Sequence, residues 1–493
     1  MNQRSPANDV TQAQSATRLF GWEIWLTAAG IVALLLAVSG RYGFHRDELY
    51  FVVAGRNLDW GFVDQPPLTP LLARLSELVG GTSPTAIRVL PALAIGLVVL
   101  LAASMARRFG GRRRAQFFAA VTAGGTGYAL AVGHLLSTST FDYLLWTVAI
   151  WLLCGLLDGA DPKQWPVLGV VVGIGLQNKH LIGLFAVALL ISLLATPQRR
   201  LLAGPWPWAA AGIAALLAAP NIIWQAANDF PQLEMARSLA DRSDGPVVFV
   251  LEQIGLLSIV LAIPAVIGWW LLMRSADLAK WRPVGMTFAL LFVFFLVTGG
   301  KSYYVAPMYP VLLAAGALWF DGLGSTAGRV MAAATGIGLF IGLFIALPLL
   351  PASSGIDPTG ELGETVGWPE MVDQVAAVHD SIPEDRQAAT VIYTASYGEA
   401  GAIDVLGTEL GLPAANSAHN NYWLWGPPVP HGPVIGVGRI GDALLSICPR
   451  VEQVGQIGNP YGVENEEAGA PLFLCLDPAR QLADVWAELK HYN

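Results

Sequence analysis

Within this 493-residue chain, one short stretch gathers acids that could do chemistry. Asp47 and Glu48 stand in Arg41-Tyr42-Gly43-Phe44-His45-Arg46-Asp47-Glu48-Leu49-Tyr50, just past an apolar run, and Asp64 follows in Asp64-Gln65-Pro66-Pro67-Leu68. Adjacent carboxylates at an apolar boundary oppose each other's ionisation, so one of them can serve as a general base. The Pro-Pro pair keeps the backbone beside Asp64 rigid and extended. A blander reading fits Asp47 and Glu48 equally, as caps of a short interfacial helix. Lys179 and His180 stand between two short apolar segments, where an unpaired charge is costly, so Lys179 reads as a ligand contact. Lys301 heads an aromatic segment with Tyr303 and Tyr304. It either meets an anion or snorkels at a helix end. Asp142 opens another apolar run and is expected as an N-cap or a charge partner for Lys179, ahead of any direct catalytic part.

The elements that must position these residues are membrane spans. The chain is 54% hydrophobic and only 13% charged, with a mean hydropathy of +0.53. A soluble chain carries roughly a quarter charged residues, so soluble multidomain classes are excluded. Apolar runs recur at about 20–40, 85–106, 115–134, 140–157, 166–178, 181–196, 207–226, 247–273, 284–299, 303–320 and 329–350, predicting about 11 transmembrane helices. Residues 1–19 are polar, and the first run is too long for a cleaved signal's apolar core, so it reads as an uncleaved span after a cytoplasmic tail. Alternate loops hold Arg107-Arg108 with Arg112-Arg113-Arg114, then Lys163, Arg199-Arg200, Arg274 with Lys280 and Arg282, and Arg329. Basic loops stay inside, which predicts a cell (inner) membrane protein with its N-terminus cytoplasmic and its C-terminus outside. No basic block suggests nucleic-acid binding.

Composition changes at about Pro351. Residues 351–493 are acid-rich and alternate short apolar strands, such as Ala389–Thr394 and Val434–Val437, with helical stretches at Asp442–Ile447 and Arg480–Lys490. A small extracytoplasmic α/β domain is expected there. Cys448 and Cys475 both fall in it, and a disulfide between them suits an oxidising compartment. Cys154 lies in an apolar run and reads as packing.

A D-E pair after the first span followed by D-x-P-P-L resembles the first outer loop of the GT-C glycosyltransferases. The likeness is to the family 39-like group: dolichyl-phosphate-mannose–protein mannosyltransferases, aminoarabinose transferases and RgtA/B/C/D-like proteins. Ser137–Trp146 (STSTFDYLLW), Gly173–His180 (GIGLQNKH) and Gly300–Pro310 (GKSYYVAPMYP) resemble further segments of that group, in the expected order. The resemblance spans roughly residues 20–320, with a GT-C core over 20–350. It implies an inverting transfer of a sugar from a polyprenyl-phosphate donor to an acceptor hydroxyl. Asp47 would be the base, with Glu48 and Asp64 orienting it or the acceptor. Lys179 would receive the leaving phosphate, with His180, Lys301, Asp142 and Tyr304 as further substrate contacts. Protein, lipid and glycan all remain open as acceptor, and a divalent cation is possible although no dedicated ligand set stands out. Gln65 departs from the family, which often has His there. The segment Tyr397–Gly426, with NSAHNNYWLWG, has no assigned role; His419, Asn420, Asn421, Tyr422 and Trp423 fit either sugar contact or domain packing. A multi-span transporter or lipid flippase is the alternative, and an assembly or receptor protein a third. No internal repeat supports a transporter, and Asp47, Glu48 and Lys179 together favour the enzyme.

Overall fold

In lipid a backbone must satisfy its own hydrogen bonds, so apolar runs of this length become helices. The computed structural model describes residues 21–492 apart from 241–244, 356, 358–359 and 429–431; the expected tail at 1–19 lies outside them. Each of the eleven apolar runs is helical: Trp22–Val38, Pro84–Arg108, Arg113–His134 with a break, Thr138–Leu157, Gln164–Leu176, Leu181–Leu194, Trp206–Ala227, Gly245–Arg274 with a break, Arg282–Thr298, Ser302–Gly322 and Ser325–Ala346. Among the described residues six helices are long and apolar enough to cross a membrane, and five shorter ones are also largely apolar.

Two runs read as single spans are discontinuous. One stops at Gly125 and restarts at Gly127, with Thr126 capping the second piece through the Ala129 N–H (3.1 Å). The other breaks over Leu257–Leu261, where Ser258 and Ile259 take the left-handed conformation (φ 51° and 61°). The breaks meet. The Gly127 N–H donates to Ser258 Oγ at 2.8 Å, so backbone freed in one helix is satisfied by a side chain of the other. Elsewhere small residues allow helices to touch backbone to backbone. A Cβ on Gly268 would overlap the Leu312 carbonyl, and one on Gly316 the Pro264 carbonyl.

One end of the bundle is a ring of ion pairs. Arg112 meets Asp321 (3.1 Å), Arg113 meets Glu23 (2.8 Å), and Asp158 takes both Arg108 (3.7 Å) and Lys280. Asp158 closes the helix Thr138–Leu157, whose other end carries Ser139 and Asp142. A 20-residue helix is about 30 Å long, so this ring and the candidate residues lie at opposite ends.

The loop between the first two spans folds into two helices, Arg46–Arg56 and Leu68–Gly80. Over it lies the C-terminal domain, a five-stranded sheet ordered β2-β1-β3-β5-β4: β1 Val391–Thr394, β2 Ala415–Ser417, β3 Val434–Val437, β4 Glu452–Gln456 and β5 Pro471–Cys475. β1 runs parallel to β2 and β3; β5 runs antiparallel to β3 and β4. Cys448 and Cys475 are disulfide-bonded. The helical stretch expected at 480–490 is reduced to a 3-10 turn, Leu482–Asp484, and a short helix, Trp486–Leu489. Trp486 and Trp423 each donate an indole N–H to the other's carbonyl (3.1 Å), and that exchange holds the segment across the domain.

Candidate active site

The first-loop helix Arg46–Arg56 begins with a reciprocal cap. The Asp47 N–H donates to His45 Nδ1 (3.1 Å), and the His45 N–H donates to Glu48 Oε2 (2.8 Å). Capping thus fixes Asp47 in the first turn. Its carboxylate is 40% exposed, and Oδ1 accepts the Tyr397 hydroxyl at 2.7 Å.

Glu48 has a different fate from its neighbour. It is fully buried, and its two oxygens accept from Arg88 Nε (2.9 Å), Arg88 Nη2 (2.6 Å), Leu136 N–H (2.9 Å) and His45 N–H. Arg88 also donates to the Ser39 and Gly43 carbonyls (2.5 and 2.7 Å). One buried pair therefore knots the end of the first span, the loop and the second span. The expectation that Glu48 shares the chemistry with Asp47 meets a physical obstacle: its lone pairs are occupied and it has no open face.

Asp64 is reached through the same helix. Phe62 N–H closes a turn on the Gln65 carbonyl (2.9 Å), Val63 N–H donates to Asn421 Oδ1 (3.1 Å), and Tyr50 donates its hydroxyl to Asp64 Oδ1 (2.9 Å). Burial pushes the Asp64 carboxyl up to about 7; the Tyr50 hydrogen bond pulls against this, and the charge of Asp47 adds to it. Near neutral pH this group can therefore hold or give up a proton. Gln65, the departure from the family pattern, is buried, and its amide has no hydrogen-bond partner among the described residues.

The turn Gln177–His180 docks against this loop. Leu68 N–H donates to the Gln177 carbonyl (2.9 Å) and Thr69 to Asn178 Oδ1 (2.8 Å), while Asn178 Nδ2 donates to the Thr138 carbonyl (2.7 Å). Lys179 Nζ is thereby set 3.3 Å from Ser139 Oγ and over the rings of Tyr303 and Tyr304, at 5.0 and 5.3 Å from their centroids. Asp142 lies one turn beyond Ser139, accepts the Trp146 indole N–H (2.9 Å), and interacts electrostatically with Lys179. Among the described residues, no carboxylate oxygen lies within ion-pair distance of Lys179. Tyr303 links the two halves: its ring lies under Lys179, and its hydroxyl senses the charges of Asp47, Glu361 and Asp142. Tyr304 N–H donates to the Lys301 carbonyl (3.1 Å) at the head of this segment.

The expected residues are thus not all equivalent. Asp142, Lys179, Tyr303 and Tyr304 form one polar-aromatic group, which the charge of Asp47 reaches at Tyr303. His180 pairs instead with Asn221 Oδ1 (2.9 Å), and Asn221 Nδ2 donates to the Trp60 carbonyl (2.9 Å). Burial holds its imidazole below the usual histidine range, with Asn221 opposing, so a neutral ring sits where a phosphate partner was expected. Tyr397 and Asn421 fell in the segment noted without an assigned role, and Arg88 was not singled out at all, although a charge at the head of an apolar run signals a required partner. Among the described residues no three His, Cys, Asp or Glu side chains converge as a metal site.

Residues 64–224 match the family model described as dolichyl-phosphate-mannose-protein mannosyltransferase. The structure of ArnT from Cupriavidus metallidurans bound to undecaprenyl phosphate is similar at 14% identity, covering 91% of this chain and 97% of that one, with a TM-score of 0.63. Its apo structure matches with a TM-score of 0.64 over 94% and 98% of the two chains, again at 14% identity. The archaeal oligosaccharyltransferase AglB from Archaeoglobus fulgidus, in complex with an inhibitory peptide and a dolichol-phosphate, is similar at 10% identity, 83% and 69% coverage and a TM-score of 0.51. No curated protein sequence matches the chain. Residues 64–224, about a third of the chain, thus resemble that mannosyltransferase family, and the fold over about nine-tenths of the chain is similar to that of ArnT.

Proposed function

We propose that the chain moves a sugar from a polyprenyl-phosphate donor to an acceptor hydroxyl, with inversion, at the non-cytoplasmic face of a cell (inner) membrane. Residues 20–350 form the catalytic membrane unit and 351–493 an extracytoplasmic domain over its mouth. The lipid tail stays among the spans while the phosphate reaches Lys179. Asp47 takes the proton of the acceptor hydroxyl as that oxygen attacks the anomeric carbon. The bond from that carbon to the phosphate oxygen breaks, and the departing phosphate is met by Lys179, whose charge is held by aromatic faces and left available to an anion. Glu48 positions Asp47 through the buried pair with Arg88. Asp64 and Tyr50 line the acceptor side. Undecaprenyl phosphate in ArnT and dolichol-phosphate in AglB support a lipid-phosphate donor here. The disulfide in the C-terminal domain and the basic ring at the opposite end support the orientation.

The observation carrying this reading is that Tyr303 lies under the Lys179 ammonium, which has no carboxylate at ion-pair distance among the described residues, and also feels the charge of the accessible Asp47 carboxylate. Purified protein in liposomes, offered a panel of radiolabelled undecaprenyl-phosphate hexoses and pentoses with membrane extract as acceptor, tests it. Wild type should transfer label from at least one donor, and Asp47→Asn should lose roughly 100-fold or more of that rate. Undiminished transfer by Asp47→Asn would remove Asp47 from the base role.

A further inference from the structure

The segment Tyr397–Gly426 lies in the C-terminal domain, about 350 residues from the first loop in sequence, yet both loop acids touch it or its immediate contacts. Tyr397 opens the helix Tyr397–Leu406, whose start is fixed by a capping box: Glu399 N–H donates to Ser396 Oγ (3.2 Å), and Ser396 N–H to Glu399 Oε2 (3.0 Å). This helix lies directly on the first-loop helix. A Cβ on Gly401 would stand 3.1–3.2 Å from Leu49 and the Tyr50 nitrogen, and one on Gly398 would stand 3.1 Å from Arg46 Cβ. Such closeness makes the Tyr397 ring pack on Tyr50 (centroids 4.9 Å) and on His419 (4.8 Å). The ring has no freedom to swing away, and its hydroxyl reaches Asp47 Oδ1. The same segment supplies Asn421 to the Val63 N–H, one residue before Asp64. Tyr422, anchored on Asp404 Oδ2 (2.7 Å), also stands near Tyr50, with ring centroids 6.4 Å apart.

We infer that the C-terminal domain completes the active site, with Tyr397 as the positioning residue that aims the Asp47 carboxylate at the acceptor hydroxyl. This rests on the assignment of Asp47 as the base. By occupying Oδ1 with a donated proton, Tyr397 leaves Oδ2 as the oxygen that takes the acceptor proton, and it fixes the carboxylate plane. The other groups facing Asp47 are Arg46 and His45 at the start of its own helix, Asp64 in the loop, and Tyr303 beneath Lys179. The Arg46 charge stands 4.0 Å away and is shared with Glu364 and Glu466 of the C-terminal domain, so it does not orient the carboxylate as a donated hydrogen bond does.

The test uses the full chain in liposomes and whichever radiolabelled undecaprenyl-phosphate sugar supports wild-type transfer. Tyr397→Phe keeps the ring that packs on Tyr50 and His419 and removes only the hydroxyl. A donated hydrogen bond to a charged group is worth about 1.5–3 kcal/mol, roughly ten- to hundredfold. The maximal rate should fall by that factor, with the donor KM and thermal midpoint at wild-type values. The acidic limb of the pH–rate profile should move to higher pH, because the ionised carboxylate has lost a stabilising donor. Wild-type rate and an unmoved limb in Tyr397→Phe, with Asp47→Asn inactive, overturn this inference alone. Full activity of Asp47→Asn overturns the base assignment itself. A Tyr397→Phe protein whose thermal midpoint falls while its pH limb stays fixed makes Tyr397 a packing residue and also overturns the inference.

Discussion

The two ends of the helical bundle treat charge in opposite ways. At the basic end every ion pair closes between helix termini: Arg113 on Glu23, Arg112 on Asp321, Arg108 and Lys280 on Asp158. At the other end a buried pair, Glu48 with Arg88, is saturated, while Lys179 rests on aromatic rings with no carboxylate at ion-pair distance among the described residues, and Asp47 keeps an exposed oxygen. Charge that holds helices together is paired with charge. The charge proposed to meet a ligand is held by hydroxyls and ring faces, which orient it without neutralising it.

Substitutions of graded severity can break or sharpen this contrast. Glu48→Gln should have the largest effect, because it strands the Arg88 guanidinium in a fully buried site; loss of one partner of a buried pair costs about 3–5 kcal/mol. Its folded yield in membranes and its thermal midpoint in detergent should both drop sharply, and a midpoint at the wild-type value would show that the knot does not hold the fold. Lys179→Met comes next. It should leave the thermal midpoint near wild type but reduce transfer roughly ten- to hundredfold, the worth of a charge-assisted contact to the phosphate. Transfer at full rate would mean that the unclaimed ammonium serves no ligand. The smallest change is expected from Arg113→Ala at the opposite end. That side chain is exposed, and its pair with Glu23 is screened by water, so transfer and thermal midpoint should both match wild type. A loss of transfer there would dissolve the distinction between the two ends.

Much of this architecture was legible because lipid makes a blunt demand. Runs of apolar residues had to become helices, and all eleven did, while the acids just beyond the first run pointed to the loop proposed as the site. The two breaks were hidden for opposite reasons. Gly125-Thr126-Gly127 sits in a stretch apolar enough to pass for one span, and Ser258-Ile259 contains neither Gly nor Pro to signal a stop. The division of labour between Asp47 and Glu48 was equally invisible, since it depends on Arg88, 40 residues downstream, choosing one carboxylate and leaving the other. Glu48 caps, as the blander reading of the pair expected, and the Asp47 side chain is left 40% exposed. Asn421 was noticed as part of an unusual segment, but its contact with Val63 spans 358 residues, beyond any local pattern.

The paired breaks also constrain how the bundle can be assembled. Each alone would leave peptide groups facing hydrocarbon, a condition costing several kcal/mol per group. The Gly127 N–H finds its partner in Ser258, 131 residues later, and the last span then closes over the joint: a Cβ on Gly342 would stand 2.5 Å from Ser258 Oγ, and one on Gly338 2.9 Å from the Ser258 carbonyl oxygen. The early helices therefore cannot reach their final state as they enter the bilayer. They must wait, held by neighbours or by water, until the later broken helix arrives and the glycine face of Ser325–Ala346 seals the seam.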